Sequence, residues 1–362
     1  MTPSETLVPD ATVLAPTALD DEMMPVPTSR TWGETALARS SEKRLMVFAG
    51  TSNQELAKGI AQRLGIRLGD VIIKEFANGE TYVKFDESIR GADVFLIQSP
   101  NGVGTINDQL MELLIMIDAA KLASVHRINV VMPWFPYARQ DKKVSGREPI
   151  TARLIANLLQ AAGVDRVLSM DLHTGQLQGF FDIPVDHMTA VPIMAQYFSD
   201  KGLSGEGSVV VSPDAGGAKR AKKFADKVDS SLAILTKERP QHNVAEVTSV
   251  IGDVSGKVAI MIDDMIDTAG TLCAGAQALL DHGATSVYAC ATHAVFSGPA
   301  TQRLQDSVMT EVVVTDTVHV PLTGRPDNST VLSIAGVLAD TIRNVFCDES
   351  VSSIFGGENQ LF

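Results

Sequence analysis

Residues 258–271 read Val258-Ala-Ile-Met-Ile-Asp-Asp-Met-Ile-Asp-Thr-Ala-Gly-Thr271. Val258 to Ile262 is an unbroken apolar run, the pattern of a strand covered on both faces. It runs into the pair Asp263-Asp264, and Asp267-Thr-Ala-Gly-Thr271 then opens a helix of small and apolar residues. A strand-to-helix turn aims unpaired backbone N–H groups and the positive helix end at one point, which suits a phosphate. Gly270 lets the backbone approach closely, and Thr268 and Thr271 add hydroxyl donors. The adjacent carboxylates suit sugar hydroxyls or a magnesium-bound ligand. Asp and Thr are also ordinary helix caps, but two acids followed by Asp-Thr-Ala-Gly-Thr exceed what capping requires.

The rest of the chain repeats this alternation. Leu45-Met-Val-Phe-Ala49 reads as a buried strand. Ser52-Asn-Gln-Glu55 reads as a capping box ahead of Leu56, Ile60 and Leu64, with Gly65 as the stop. Further strands are predicted at Val71–Ile73, Val94–Gln98, Ile128–Met132, Val167–Met170, Val209–Val211, Ala233–Leu235, Val258–Ile262, Val287–Ala291 and Val312–Thr315. Helical stripes fall at Leu110, Leu113, Leu114 and Ile117, and at Leu154, Ile155, Leu158 and Leu159, the latter ended by Gly163. A final helix near Ser329–Phe346 carries Val331, Ala335, Leu338, Ile342 and Val345. Continuous apolar strands alternating with amphipathic helices predict an α/β fold of parallel sheets covered on both faces.

The chain has 362 residues, which at about 150 per domain predicts two domains. Its formal net charge of −13 makes it a poor nucleic-acid binder, while leaving room for a small phosphorylated ligand on a local basic cluster. Mean hydropathy is +0.11, yet no apolar run approaches the roughly 18 residues of a membrane span. The longest candidate, Leu110–Ala123, is interrupted by Glu112, Asp118 and Lys121. Cys273, Cys290 and Cys347 form neither a disulfide framework nor a metal pattern and are expected to be reduced. Met1–Ser29 has no Lys or Arg and five prolines, so neither a secretory nor a mitochondrial leader is predicted. Such a segment is expected to be disordered. Gly252-Asp-Val-Ser-Gly-Lys257 falls one residue short of a phosphate-binding P-loop and precedes a strand rather than a helix.

Other loops after strands carry chemistry. Trp134-Phe-Pro-Tyr-Ala-Arg-Gln-Asp-Lys-Lys143 places Arg139, Lys142 and Lys143 together in an acidic chain, which fits a polyphosphate. Met170-Asp-Leu-His173 ends a strand with two candidate metal ligands, Asp171 and His173. With Asp214 in Val211-Ser-Pro-Asp-Ala-Gly-Gly217, they suggest a magnesium-nucleotide site. Phe76-Ala-Asn-Gly-Glu80 reads as a turn with hydrogen-bonding side chains. Thr236-Lys-Glu-Arg-Pro240 reads as a polar loop bearing two basic residues, the pattern of a lid.

The Asp263–Thr271 stretch resembles the ribose-phosphate loop of the type I phosphoribosyltransferase fold. With Phe76–Glu80, Phe135–Lys143, Met170–Asp186, Val211–Arg220 and Lys237–Pro240, the sequence from about Arg44 to Phe355 is similar to the ribose-phosphate diphosphokinases. The resemblance implies two similar α/β domains, each a mainly parallel sheet flanked by helices. Their expected bounds are 44–189 and 190–362 after an extension at 1–43, with the tail returning to the first domain. It implies transfer of the diphosphoryl group of ATP to O1 of ribose 5-phosphate, with Mg2+ required and AMP released. It assigns Phe76, Asn78, Gly79, Glu80, Arg139, Gln140, Lys142 and Lys143 to ATP. Asp263, Asp264, Asp267, Thr268, Ala269, Gly270, Thr271 and Arg239 go to ribose 5-phosphate. His173, Asp214 and Asp171 go to the metal, and Lys237 and Arg239 to catalysis. It implies a cytoplasmic hexamer activated by phosphate and inhibited by ADP through Ser88, Arg90, Arg147, Ser350, Ser352 and Phe355. Two alternatives share part of the pattern. A phosphoribosyltransferase would leave Arg139–Lys143 and Lys237–Arg239 unused, and a catalytically silent subunit should have lost metal or lid residues.

Overall fold

The computed structural model describes residues 43–101, 105–238 and 247–355. The predicted extension lies outside these residues except for Lys43. Elements run β1 (Leu45–Ala49), α1 (Gln54–Leu64), β2 (Val71–Glu75), β3 (Thr81–Phe85), β4 (Asp93–Ile97), α2 (Ile106–Leu122), β5 (Arg127–Val131), α3 (Thr151–Ala162), β6 (Arg166–Met170), β7 (Val185–Met188) and α4 (Val191–Asp200). They continue β8 (Ser208–Ser212), α5 (Ala218–Lys227), β9 (Ser231–Glu238), β10 (Val247–Ile251), β11 (Val258–Ile266), α6 (Gly270–Asp281), β12 (Ser286–Ala294), α7 (Ala300–Gln305), β13 (Glu311–Thr315), β14 (Ser329–Leu332) and α8 (Ala335–Phe346).

Three sheets result. One has order β1-β4-β5-β6-β7 and is parallel throughout. A second has order β10-β9-β8-β11-β12-β13-β14 and is parallel except for the β10–β9 pair. The third is the β2–β3 hairpin. Every residue of β4 and of β8 is buried, as strands covered on both faces require.

The helices form layers. Val47, Phe95 and Val131 of the first sheet share one core with Val210, Ile260 and Val313 of the second, across Ile60, Phe198, Phe224 and Leu338 from α1, α4, α5 and α8. Helices α2 and α3 close the far side of the first sheet over Leu96, Val130 and Ile155. Helix α6 closes the far side of the second over Met261, Ala276 and Leu279. Helix α8 packs on α1: Ala335 lies against Gly59, and the Arg343 guanidinium donates to the Arg63 carbonyl at 3.4 Å. Asp348 pairs with Lys43 and, at 3.2 Å, with Arg127.

Several local expectations are corrected. The α1 cap is Asn53, whose side chain accepts from Leu56 N, while the Ser52 hydroxyl instead donates to Gln98 Oε1 at 2.6 Å. Strands β3, β7, β10 and β14 were not predicted. Val331 lies on β14, so the last helix starts at Ala335. Leu154 and Leu158 are 53% and 39% exposed, so the buried face of α3 is centred on Ala152, Ile155, Ala156 and Leu159. Strand β9 continues through Lys237 to Glu238, where a loop was expected, because Lys237 pairs with Thr248 in an antiparallel ladder.

Candidate active site

Parallel strands present their carboxyl ends on one edge, where the following loops gather. A cleft of about 260 Å³ opens there. It is lined by Arg139 after β5, His173 after β6, Pro213 and Asp214 after β8, and Asp263–Leu272 of β11 and α6. Both parallel sheets therefore contribute to it. An adjoining cleft of about 300 Å³ shares Arg139 and Met265 and is walled by Ile106, Trp134, Phe135, Tyr137 and Gln140.

The acidic pair sits on β11 itself, not after it. Successive strand residues face opposite ways, and the pair divides accordingly. The Asp264 side chain is 4% exposed, with Oδ2 2.7 Å from His173 Nδ1 and Oδ1 3.3 Å from Arg220 Nη1. The Asp263 side chain is 32% exposed, and its Oδ1 lies 3.2 Å from the same Arg220 nitrogen. Burial opposes charge on Asp264, but Arg220 and His173 together outweigh it and hold its carboxyl below the usual range. Burial and the neighbouring Asp264 charge push Asp263 well above the usual range. The hydrogen bond to Asp264 raises His173 above an ordinary histidine, against the effect of burial.

Asp267 is paired with Arg139 at 2.7 Å, so the Asp263–Thr271 loop and the basic loop touch directly. Thr268, Ala269, Gly270 and Thr271 all line the cleft. Ala269 has φ +60°, a left-handed conformation that an alanine adopts only against a steric cost. Asp214 accepts from Gly217 N at 2.9 Å through Oδ1. Asp141 accepts from Thr174 Oγ1 at 2.9 Å, fastening the basic loop to the His173 loop.

Other predicted residues lie elsewhere. Asp171 is 1% exposed and lines neither cleft. Its Oδ2 accepts from Ala190 N and from Thr292 Oγ1, at 2.8 and 2.6 Å, so it acts as a buried tie between the two sheets. Lys142 and Lys143 stand in solvent. Phe76, Asn78, Gly79 and Glu80 form the exposed β2–β3 turn, closed by Phe76 N donating to Glu80 O at 2.8 Å, and line neither cleft. Lys237 is placed by its backbone alone, and Arg239 lies outside the described residues. Arg44 donates to the carbonyls of Ser88 and Arg90 at 3.2 and 3.0 Å. Ser350 and Ser352 hydroxyls meet at 3.3 Å in the tail, which ends its described part at Phe355. Arg147 sits at φ +70° on an exposed loop that Glu148 ties together by accepting from Val144 N and Ser145 N.

Arg220 closes the Val211–Arg220 motif but receives no role from the sequence. It lies on the buried stripe of α5 with Ala221, Phe224 and Ala225. A charge on a core stripe is itself a signal, because it must be paired there.

Residues 45–163 match the family described as the N-terminal domain of ribose phosphate pyrophosphokinase. Residues 244–356 match the phosphoribosyl synthetase-associated domain. A ribose-phosphate pyrophosphokinase of Fusobacterium nucleatum is 53% identical over 309 residues, 85% of this chain and 97% of that protein. The chain belongs to the ribose-phosphate pyrophosphokinase family. A second member, the chloroplastic ribose-phosphate pyrophosphokinase 2 of Arabidopsis thaliana, is 52% identical over 89% of this chain and 80% of its own. The crystal structure of phosphoribosylpyrophosphate synthetase from Mycobacterium smegmatis superposes with a TM-score of 0.79 at 48% identity, covering 84% of this chain and all of that one. These pyrophosphokinases are transferases, and the fold of this family is the α/β arrangement described above.

Proposed function

We propose that the chain transfers the diphosphoryl group of ATP to O1 of ribose 5-phosphate, giving 5-phosphoribosyl 1-diphosphate and AMP for nucleotide biosynthesis. The observation that carries this reading is one cleft in which Arg139, His173 and Asp214 face the Asp263–Thr271 loop. Arg139 and Gln140 bind ATP. Lys142 and Lys143, in solvent beside them, supply positive charge to its phosphates. The amides and hydroxyls of Thr268–Thr271 hold the 5-phosphate, and Asp263 receives the ribose hydroxyls. Such a transfer needs alignment and positive charge around phosphorus more than covalent help. Lys237 and Arg239 supply that charge as the bond to AMP breaks.

Magnesium belongs to this reading. Among the described residues no three His, Cys, Asp or Glu side chains converge as a metal cage. Magnesium keeps several waters and is held by one or two protein groups plus substrate phosphates. Asp214, with the oxygen that Gly217 leaves unused, and His173, with the ring nitrogen that Asp264 leaves unused, fit that requirement. Asp171 stands behind them: its Oδ2 serves Ala190 and Thr292, its Oδ1 is buried with no partner among the described residues, and the residue does not line the cleft. When bound, the ion neutralises charge on the ATP phosphate oxygens.

The assembly in this proposal is a hexamer in the cytoplasm, built from chains with domains at 44–189 and 190–362. Phosphate activates and ADP inhibits through Ser88, Arg90, Arg147 and the Ser350–Phe355 tail. The exposed Phe76–Glu80 turn reaches ATP across a subunit boundary. No helix of the described residues is long and apolar enough to cross a membrane. The test is direct: AMP must form from ATP and ribose 5-phosphate with no nucleobase present, and only with magnesium. Product formation that requires a base would instead mark a phosphoribosyltransferase.

A further inference from the structure

The ribose-phosphate loop is held from behind. Phe296 N donates to the Ile266 carbonyl at 3.0 Å, and Ser297 N to the Asp267 carbonyl at 3.0 Å. Arg303 Nη1, on α7, donates to the Thr268 carbonyl at 3.0 Å. Three successive carbonyls are thus engaged by one segment, the turn after β12 and the helix that follows it. In a trans peptide the C=O and N–H point in opposite directions, and the described residues contain no cis bond. Fixing the Thr268 carbonyl toward α7 therefore turns the Ala269 N–H away from α7. The amides of Thr268 and Ala269 make no backbone hydrogen bond among the described residues, and both residues line the cleft.

The last of these three contacts is the one supplied by a side chain. It is also the one that bears on strain. The peptide whose carbonyl Arg303 holds leads into Ala269 at φ +60°. A non-glycine residue there relaxes toward negative φ unless its surroundings hold it. Such a change swings the peptide and takes an amide out of the anion site. Arg303 also lies close to the loop: a Cβ added at Gly270 would come within 3.3 Å of Nη1. Its positive charge therefore sits where it favours an anion on the other side of the same peptides.

We infer that Arg303 is a positioning residue for the phosphate of the sugar substrate. It acts through the Thr268–Ala269 peptide, and it adds to phosphate affinity without touching ATP. The inference rests on the reading that this loop binds ribose 5-phosphate.

The test compares full-length wild type with Arg303→Ala and Arg303→Lys. Direct calorimetric binding of ribose 5-phosphate is measured alongside steady-state kinetics and melting temperature. The loss of one charged hydrogen bond predicts a rise in KM for ribose 5-phosphate, and in its dissociation constant, of about tenfold or more in Arg303→Ala. KM for ATP should stay within about twofold of wild type, because ATP lies outside this contact. Arg303→Lys, which keeps a charged donor, should recover most of the loss. Equal affinity for ribose 5-phosphate in wild type and Arg303→Ala would overturn the inference. So would a parallel rise in both KM values with a falling melting temperature, which is the signature of general destabilisation. Wild type that binds no ribose 5-phosphate at all would bring down the functional reading, and this inference with it.

Discussion

At the scale of single residues, one buried arginine organises the site. Arg220 is the shared partner of Asp263 and Asp264, and His173 holds the other side of Asp264. Two adjacent carboxylates at this depth repel each other, and the guanidinium allows them to coexist. Its removal leaves the two carboxylates with His173 as their one remaining close cationic partner among the described residues. Arg220→Met should therefore cost about 3–5 kcal/mol of folding stability, read from urea denaturation, and should abolish ribose 5-phosphate binding. A variant of near-native stability would mean that the acidic pair does not depend on it. A second residue gives a pH signature. His187 is 4% exposed and its Nε2 accepts from Leu172 N at 2.9 Å. Burial lowers its pKa to about 4 from an ordinary 6.5. The unfolded chain gains a proton near pH 6.5, and the folded chain does not until about pH 4. This group's share of stability is thus intact above pH 6.5 and falls as the pH drops, by about 3 kcal/mol in all. His173, with a raised pKa, acts in the opposite sense and is lost as pH rises, so the informative quantity is a difference. Wild type should lose more stability than His187→Gln between pH 7 and pH 4.5, and equal slopes would refute the assignment.

At the scale of elements, strand β9 decides how Lys237, proposed above as catalytic, is carried. It runs through Lys237 and pairs antiparallel with β10, with Glu238 opposite Val247. Lys237 therefore sits on the outermost pair of the seven-stranded sheet and not on a free loop. An edge ribbon of this kind can still bring charge over a cleft when substrates are bound. Lys237→Ala and Arg239→Ala should each lower kcat by about a hundred- to a thousandfold, with much smaller changes in ATP binding. Near-wild-type turnover in both would sink the catalytic role. The β9 extension was illegible because Thr236-Lys-Glu is polar, and an edge strand needs no apolar run to pair through its backbone. The same reason hides β10, and it hides β3, whose residues are mostly half-buried. By contrast, β1, β5, β8, β11 and β12 were legible because burial on both faces demands continuous apolar residues. The site was legible where chemistry clusters in sequence, as at Asp263–Thr271. It was not where partners come from distant elements, as with Arg220 on α5 and Asp171 under β12. Sequence alone does not show the burial of Asp171, because an acid at a strand end looks alike whether it faces a cleft or a buried hydroxyl.

At the scale of the whole molecule, the described residues pack into three hydrophobic cores. The first described residue, Lys43, already pairs with Asp348, and Arg44 already caps the Ser88–Arg90 turn. The Fusobacterium nucleatum relative matches this chain over 97% of its own length with only 309 of these 362 residues. The composition of Met1–Ser29, with five prolines and no Lys or Arg, offers little apolar surface to offset the entropy of ordering. Its acids add to the net negative charge of the chain, so removing it also reduces self-repulsion slightly. Deleting residues 1–40 while keeping Lys43 and Arg44 should leave the melting temperature within about 2 °C of full length, which corresponds to about 1.5 kcal/mol or less for a chain of this size. Specific activity should be unchanged as well. A fall of several degrees would mean that the segment packs on the folded body. Loss of activity at an unchanged melting temperature would give it a place in the catalytic cycle instead.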